Sequence, residues 1–263
     1  MFIEERHQAI LDLLTEKGRI TTGEIQEKFS VSYDTAKRDL RILEEKDLLK
    51  RTHGGAIPIK KIGFSGECHK LSSKERVVNV LDNYLEIAKK AVTMIDDKDV
   101  VYLTGASIGF LIAQNLPASL SCTVVTSSIS IAEELRKYEN ITVIVTGGEM
   151  SRNGSFYDAF TIEMINRLRF DKCFITSACI SPEFGLSIQK SRNIGVINAV
   201  INSSKVKIGL YPTEKISFES IVSICPASKL DYIITDWDAS EEDLKQFDEL
   251  NIDVIVVEKE DNN

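Results

Sequence analysis

Between Val100 and Val257 the chain repeats one pattern: a short run rich in β-branched residues, then a stretch of helical character. The runs are Val100 to Thr104, Thr123 to Thr126, Thr142 to Thr146, Cys173 to Thr176, Val206 to Tyr211, Tyr232 to Thr235 and Val254 to Val257. Runs this short and apolar suit strands buried on both faces. Their alternation with helices predicts an α/β fold with a mainly parallel sheet covered on both sides. In such sheets ligands bind outside the carboxyl ends of the strands. The segments that fall there are Thr104 to Ile108, Thr126 to Ser128, Gly147 to Arg152 and Thr213 to Lys215.

Each of these loops is rich in small or hydroxylated residues, which lets backbone N–H groups at a helix start hold an anion. Gly105, Ala106, Ser107, Thr126, Ser127, Gly147, Gly148, Arg152 and Lys215 are the candidate ligand-binding residues. Gly147-Gly148 with Arg152 forms the best phosphate candidate, and Lys215 supplies a second charge. The competing reading of Gly147-Gly148 is a plain turn, since glycine is the default wherever positive φ is required.

At 43% hydrophobic and 27% charged residues, the 263-residue chain has the composition of an ordinary globular protein. Apolar runs such as Val100 to Leu103 and Ile252 to Val257 are far short of the ~20 residues that cross a bilayer. Residues 1 to 20 lack a signal-peptide core, so a cytoplasmic protein without membrane contact is expected. Cys68, Cys122, Cys173, Cys179 and Cys225 are scattered, without a C-x-x-C pair, and the chain has three histidines. That pattern predicts reduced, mostly buried thiols, with no metal and no cofactor.

The formal charge of −8 is unevenly divided. Residues 1–61 hold 12 Lys and Arg against 11 Asp and Glu, which leaves 20 against 29 for residues 62–263. Within residues 37–61, eight basic side chains face four acidic ones, a local positive surface of the kind phosphate contacts need.

The N-terminal part reads as helix, helix, turn, helix and hairpin. Ile3, Ala9, Ile10, Leu11, Leu13 and Leu14 follow a helical period, and Gly18 ends that segment. Thr21 with Glu24 three residues on forms a capping box that starts a second helix, with Ile25 and Phe29 facing inward. After Ser30-Val31-Ser32, Ser32 can cap a third helix from Tyr33 to about Glu45. On its wheel Ala36, Leu40 and Leu43 cluster toward the core, while Tyr33, Asp34, Lys37, Arg38 and Arg41 share the opposite face. Such a face fits the major groove of B-DNA, with Tyr33, Asp34 and Lys37 placed to read bases and Arg38 and Arg41 to contact phosphate or guanine. Thr35 offers a hydroxyl at the positive end of that helix. Leu48 to Pro58 reads as two short extended runs around Gly54-Gly55, a wing whose Arg51 and His53 reach the backbone or minor groove. Thr21, Ser32 and Gly54 complete the candidate DNA-binding set.

The strings Glu5 to Leu11, Val31 to Leu40 and Arg51 to Ala56 resemble the DNA-binding signature of the DeoR/GlpR family of bacterial repressors, with its "VS-x-x-T-x-RRDL" and "R-x-HGGA" patterns. Lys37 stands where the family usually has arginine, which keeps charge and loses a bidentate fork. The later part is similar to the family's C-terminal sensor domain through Leu116, Val124-Val125-Thr126, Gly147-Gly148, Asp171 to Phe174, Gly185-Leu186 and Ile234-Thr235-Asp236. That resemblance implies a fold like ribose-5-phosphate isomerase and coenzyme A transferases. It also implies a small-molecule effector, a phosphorylated sugar in the usual case.

Here the sequence departs from the family. "LDSGTTT" is replaced by Leu103 to Gly109, and "D-x-S-K" by Pro212 to Lys215; Asp158 stands for a glycine, and Asn193 and Ile197 for Glu and Lys. Extra carboxylates beside a phosphate cost affinity by like-charge repulsion. The effector is therefore expected either to differ from a sugar phosphate or to bind through altered contacts.

The expected organisation is a winged helix-turn-helix over residues 3–59, a linker over 60–74, and an α/β effector-sensing and oligomerisation domain over 75–263 that begins with a helix from about Lys74 to Ile95. The expected function is a sequence-specific repressor of a carbohydrate or related catabolic operon. It would bind a double-stranded DNA operator as a homodimer or homotetramer and be relieved by its effector. The alternative is an isomerase- or transferase-like enzyme with a DNA-binding appendage; against it, Thr104 and Pro212 replace the acidic residues that could serve as acid or base.

Overall fold

The computed structural model describes residues 3–17, 19–46, 48–58 and 82–259. Gly18, the expected linker 60–74, Cys68 and the start of the helix expected from Lys74 lie outside the described residues. The described residues divide into two compact units, one containing residues 3–58 and the other most of 82–259.

In the smaller unit, α1 (Ile3–Lys17), β1 (Ile20–Thr21), α2 (Thr22–Phe29) and α3 (Tyr33–Glu45) precede a hairpin of β2 (Leu49–Thr52) and β3 (Gly55–Pro58). The Thr21–Glu24 capping box forms in full: the Thr21 hydroxyl accepts from Glu24 N–H at 3.1 Å, and the Glu24 carboxylate accepts from Thr21 N–H at 2.8 Å. Ser30 closes α2 in the left-handed region at φ 52°, turning the chain so that Ser32 caps α3. Ile10, Leu14, Ile25, Ala36, Leu40, Leu43 and Leu49 make the core, with Phe29 packed at its margin.

The hairpin differs from the sequence expectation in its turn. Thr52 pairs with Gly55, so the two-residue loop is His53-Gly54, and Gly55 is a strand residue. β1, which has no signal of its own, pairs with β3 and gives the sheet order β1-β3-β2. Gly55 permits this approach: a Cβ there would collide with the Ile20 carbonyl.

In the larger unit, the seven runs become a seven-stranded parallel sheet. After α4 (Asp82–Val92) come β4 (Val100–Leu103), α5 (Ser107–Gln114), β5 (Cys122–Thr126), α6 (Ile129–Leu135), β6 (Ile141–Val145), α7 (Ala159–Asn166) and β7 (Phe170–Ile175). A small antiparallel sheet interrupts the alternation with β8 (Cys179–Ser181) and β9 (Gly185–Ile188), joined later by β11 (Val222–Cys225). The main run resumes with α8 (Ile194–Ser203), β10 (Ser204–Leu210), β12 (Tyr232–Asp236), α9 (Glu241–Asp248) and β13 (Asp253–Val257).

Alternating strand residues feed two cores, as the period-two geometry of strands requires. Val101, Leu103, Val124, Phe174 and Leu210 pack under α4, α5 and α6; Tyr102, Val125, Cys173, Ile175 and Tyr211 pack under α7, α8 and α9. The strand order is β13-β12-β10-β7-β4-β5-β6. The chain therefore builds outward from β4 through β5 to β6, then returns to β7 and builds the other way. This reversal opens a crevice at the carboxyl ends of β4 and β7, the place where ligands bind in open α/β sheets.

Candidate DNA-reading face and ligand cavity

α3 exposes Tyr33, Asp34, Lys37, Arg38 and Arg41, while Ala36, Asp39, Leu40 and Leu43 are buried. The five side chains proposed to meet DNA therefore share one solvated face. Lys37 Nζ lies 4.5 Å from the centre of the Tyr33 ring, a cation–π contact one helical turn apart. Arg41 approaches Glu45 at 3.8 Å, with both side chains exposed, so the pair is weak and leaves the guanidinium available to a phosphate.

The remaining candidates of this unit frame that face. The Ser32 hydroxyl accepts from Thr35 N–H at 3.2 Å and also bonds the Thr35 hydroxyl at 2.8 Å. Thr35 was expected to present a free hydroxyl; it is instead part of the cap. Thr21 is committed to the capping box, and the Gly54 carbonyl accepts from Thr22 N–H at 2.8 Å, fixing the wing against α2. His53 is exposed in the wing turn. Arg51 is held by Glu44: its N–H donates to that carboxylate at 2.8 Å, and its guanidinium stands 3.7 Å away.

In the larger unit a cavity of about 250 Å³ lies at the strand-order reversal. Gly105, Ala106, Ser107, Ser127 and Lys215 line it, as expected of residues at the carboxyl ends of the strands. Thr126, Gly147, Gly148 and Arg152 do not. Thr126 is fully buried, and its hydroxyl donates to the Leu103 carbonyl at 3.0 Å, stapling β5 to β4. Arg152 is exposed.

Gly147-Gly148 sits by a separate surface depression that contains Asp158. Asp158 is the N-cap of α7; its carboxylate accepts from Thr161 N–H at 3.0 Å and from Glu149 N–H. Those backbone bonds, that of Glu149 first, hold its carboxyl below the usual carboxylate range. Gly148 has φ +137°, and a Cβ there would come within 2.6 Å of the same carboxylate. The best phosphate candidate in the sequence is thus a turn closed on the protein's own anion.

Residues absent from the sequence-based set complete the cavity: Tyr84, Tyr102, Asn153, Tyr157, Thr176, Ser177, Gln189 and Asn193 among them. Thr176 and Ser177 follow the end of β7, so the rule that selected the other loops would have selected them. Lys215 Nζ donates to the Thr176 hydroxyl at 3.3 Å and lies 5.6 Å from the Tyr84 ring centre. Ser127 bonds the Tyr102 hydroxyl at 3.0 Å, and Ser177 bonds the Tyr211 hydroxyl at 2.8 Å. Burial pushes both phenols well above their ordinary pKa, so they act as neutral hydrogen-bonding groups. Asn193 Oδ1 is buried and without a hydrogen-bond partner among the described residues.

Behind Lys215, Asp236 accepts from Thr213 N–H at 2.8 Å and from Asn83 Nδ2 at 3.0 Å, tying α4 to the turn that carries the lysine. Cys122, Cys173, Cys179 and Cys225 are buried free thiols. Among the described residues there is no group of three or more His, Cys, Asp or Glu side chains placed to hold a metal, and no helix is long and apolar enough to cross a membrane.

A winged helix with a solvated basic reading face, in one chain with a parallel-sheet unit that holds a cavity, defines a DNA-binding transcriptional regulator. Residues 6–61 match the DeoR-like helix-turn-helix domain and residues 82–237 the DeoR C-terminal sensor domain. The chain belongs to the DeoR family. It is 32% identical to the HTH-type transcriptional repressor GlcR of Bacillus subtilis, covering 99% of both chains, and 28% identical to the HTH-type transcriptional regulator GolR of Listeria innocua, covering 98% of this chain and 100% of that one. Among solved structures, ribose 5-phosphate isomerase A of Methanocaldococcus jannaschii is 16% identical, covers 53% of this chain and 54% of its own, and has a TM-score of 0.37.

Proposed function

We propose that this regulator is a repressor of a carbohydrate or related catabolic operon, released from its operator by a small molecule bound in the sensor cavity. The observation that carries the DNA-reading part is the division of α3, with Tyr33, Asp34, Lys37, Arg38 and Arg41 in solvent and the apolar face packed into the unit. Tyr33, Asp34 and Lys37 meet base edges; Arg38 and Arg41 meet phosphate or guanine; Arg51, His53 and Gly54 bring the wing to the adjacent backbone. Ser32, Thr35 and Thr21 hold the geometry at the helix starts. A relative named for sugar regulation supports the operon class: the lactose phosphotransferase system repressor of Staphylococcus epidermidis is 28% identical over 88% of this chain.

A reader of this kind works as a homodimer or homotetramer on paired half-sites, in the cytoplasm where the chromosome lies. The cavity serves binding and not catalysis. Lys215 and tyrosines are the ionisable side chains among its described lining residues, and no carboxylate is there to act as general base.

Fluorescence anisotropy tests the reading, using a labelled duplex from upstream of the protein's own gene against an unrelated duplex of equal length, across a salt series. Tighter, salt-sensitive binding to the first is expected. Equal affinity for both, or no salt dependence, would count against it.

A further inference from the structure

We infer that a second copy of this chain docks at the β6 end of the parallel sheet, on the open edge of β6 and the exposed apolar side chains of Ile129, Met150 and Phe160 beside it. This rests on the regulatory reading above only for the use that pairing serves.

The first observation is an unprotected edge. The strand order ends at β6 on one side and at β13 on the other. An end strand leaves N–H and C=O groups along its outer side, and chains that stay apart blunt such edges with lysine, proline or a bulge. β6 reads Ile-Thr-Val-Ile-Val and carries none of these; it pairs with β5 over five residues in unbroken register. Val143, Ile144 and Val145 stay only half-buried.

Beside this edge lies apolar surface that folding leaves in water. Phe160 is 74% exposed, Met150 60% and Ile129 42%. Single exposed apolar side chains are ordinary, whereas a contiguous group marks an interaction surface. Local bonds bring these three together. Met150 bridges Phe156 across a tight turn, and the Gly154 carbonyl in that turn accepts from Ile129 N–H at 2.9 Å, which sets the start of α6 against it. Asp158 caps α7 and accepts from Glu149 N–H, which holds Phe160, in the first turn of α7, next to the same segment. That turn also sends Asn153 to the cavity wall, so one element serves the cavity and the surface.

Charge identifies the occupant. The chain carries −8, and surfaces of one sign repel identical copies. Residues 129–169, which contain α6, β6 and α7, hold five Lys and Arg against six Asp and Glu. Glu133, Glu134 and Glu163 pair with Arg136, Lys137 and Arg167 inside the chain. A rim so balanced has no field to draw a polyanion or a strongly charged protein, and it sets little repulsion against its own copy. At the other edge, residues 241–259, which contain α9 and β13, hold two Lys against seven Asp and Glu, so two copies would repel there. An isologous contact, in which one patch meets itself across a two-fold axis, therefore suits β6 and not β13.

Sedimentation velocity on the full-length protein without DNA, over a dilution series, tests this. The unmodified protein should associate to a dimer or a multiple of one. Phe160→Glu and Met150→Glu each place like charges across the axis and should raise the dissociation constant by at least about tenfold. Both side chains are exposed, so far-UV circular dichroism should not change. Val256→Glu, on the β13 edge, should leave association as it is. In hydrogen exchange, the β6 amides should exchange faster in Phe160→Glu than in the unmodified protein. A monomer at about 50 μM would assign the surface to a different partner and overturn the inference. Association untouched by both variants, or weakened as much by Val256→Glu, overturns it too, as does unchanged exchange in β6. Because association is measured without DNA, failure here and failure of operator binding are separate results.

Discussion

Asp39 of α3 receives two hydrogen bonds from the Arg6 guanidinium of α1, at 2.6 and 3.1 Å, with both side chains almost wholly out of water. His7 Nε2 lies 3.0 Å from the same carboxylate. The helix that presents the reading face is thus held to α1 by a buried charge as well as by apolar packing. Removing one partner of a buried pair leaves the other uncompensated, typically at about 3–5 kcal/mol. Asp39→Ala should abolish operator binding and add an early unfolding transition in scanning calorimetry; unchanged binding with no added transition would mean the clamp is dispensable.

The same pair sets an acid limit. Burial alone would raise the Asp39 carboxyl, but the bonds from Arg6 and His7 outweigh it and the pKa is lowered. A carboxyl depressed in the folded state contributes stability that is present above its unfolded pKa of about 3.9 and is lost as pH falls through the folded value. DNA-binding capacity should therefore hold from neutrality to about pH 5 in this respect and fail on stronger acidification. In Asp39→Asn, the loss of stability with falling pH should be shallower, measured by urea denaturation at several pH values.

Neutralising Lys37 and Arg38 together to Gln should weaken operator binding and reduce the salt slope by about one for each phosphate contact removed. Both side chains are exposed. Their replacement should move folding stability by less than about 0.5 kcal/mol. An unchanged salt slope would remove these residues from the interface.

Gly55 carries a steric prediction. Because a Cβ at this position collides with the Ile20 carbonyl, Gly55→Ala must push β1 from β3. Overpacking of this kind costs about 1–3 kcal/mol, and the expected readouts are a lower melting temperature and weakened DNA binding. Gly54→Ala, in the adjacent turn, where a Cβ meets no backbone atom, serves as the control for the melting temperature alone.

Burial pushes the thiols of Cys122, Cys173 and Cys225 up to about 11. The thiolate is the reactive species, so at pH 8 these groups should react with a disulfide reagent far more slowly in the folded protein than in urea. The comparison is cleanest in a Cys68→Ser background. Rapid labelling of all three in the native state would contradict their placement in the cores.

The arrangement of helices, turn and hairpin in residues 3–58 is legible because its signals are local: capping pairs, a 3.6-residue period and a glycine turn act within a few residues of each other. So is the parallel sheet, since seven β-branched runs separated by helices have few other ways to bury both faces. Gly105, Ser107, Ser127 and Lys215 follow from the sheet, because strand ends are where such folds leave room.

What the tertiary structure alone decided is which polar groups find each other across the sequence. Asp158 sits ten residues beyond Gly148 and closes on it through a backward turn; that single contact removes Gly147-Gly148 from the ligand inventory. Arg6 and Asp39 meet across 33 positions, and Asn83 meets Asp236 across 153. No local propensity records such distances. Short-range energetics determine where the chain bends and which face turns inward, whereas the charge and shape of a cavity depend on which side chains the folded chain brings to one point.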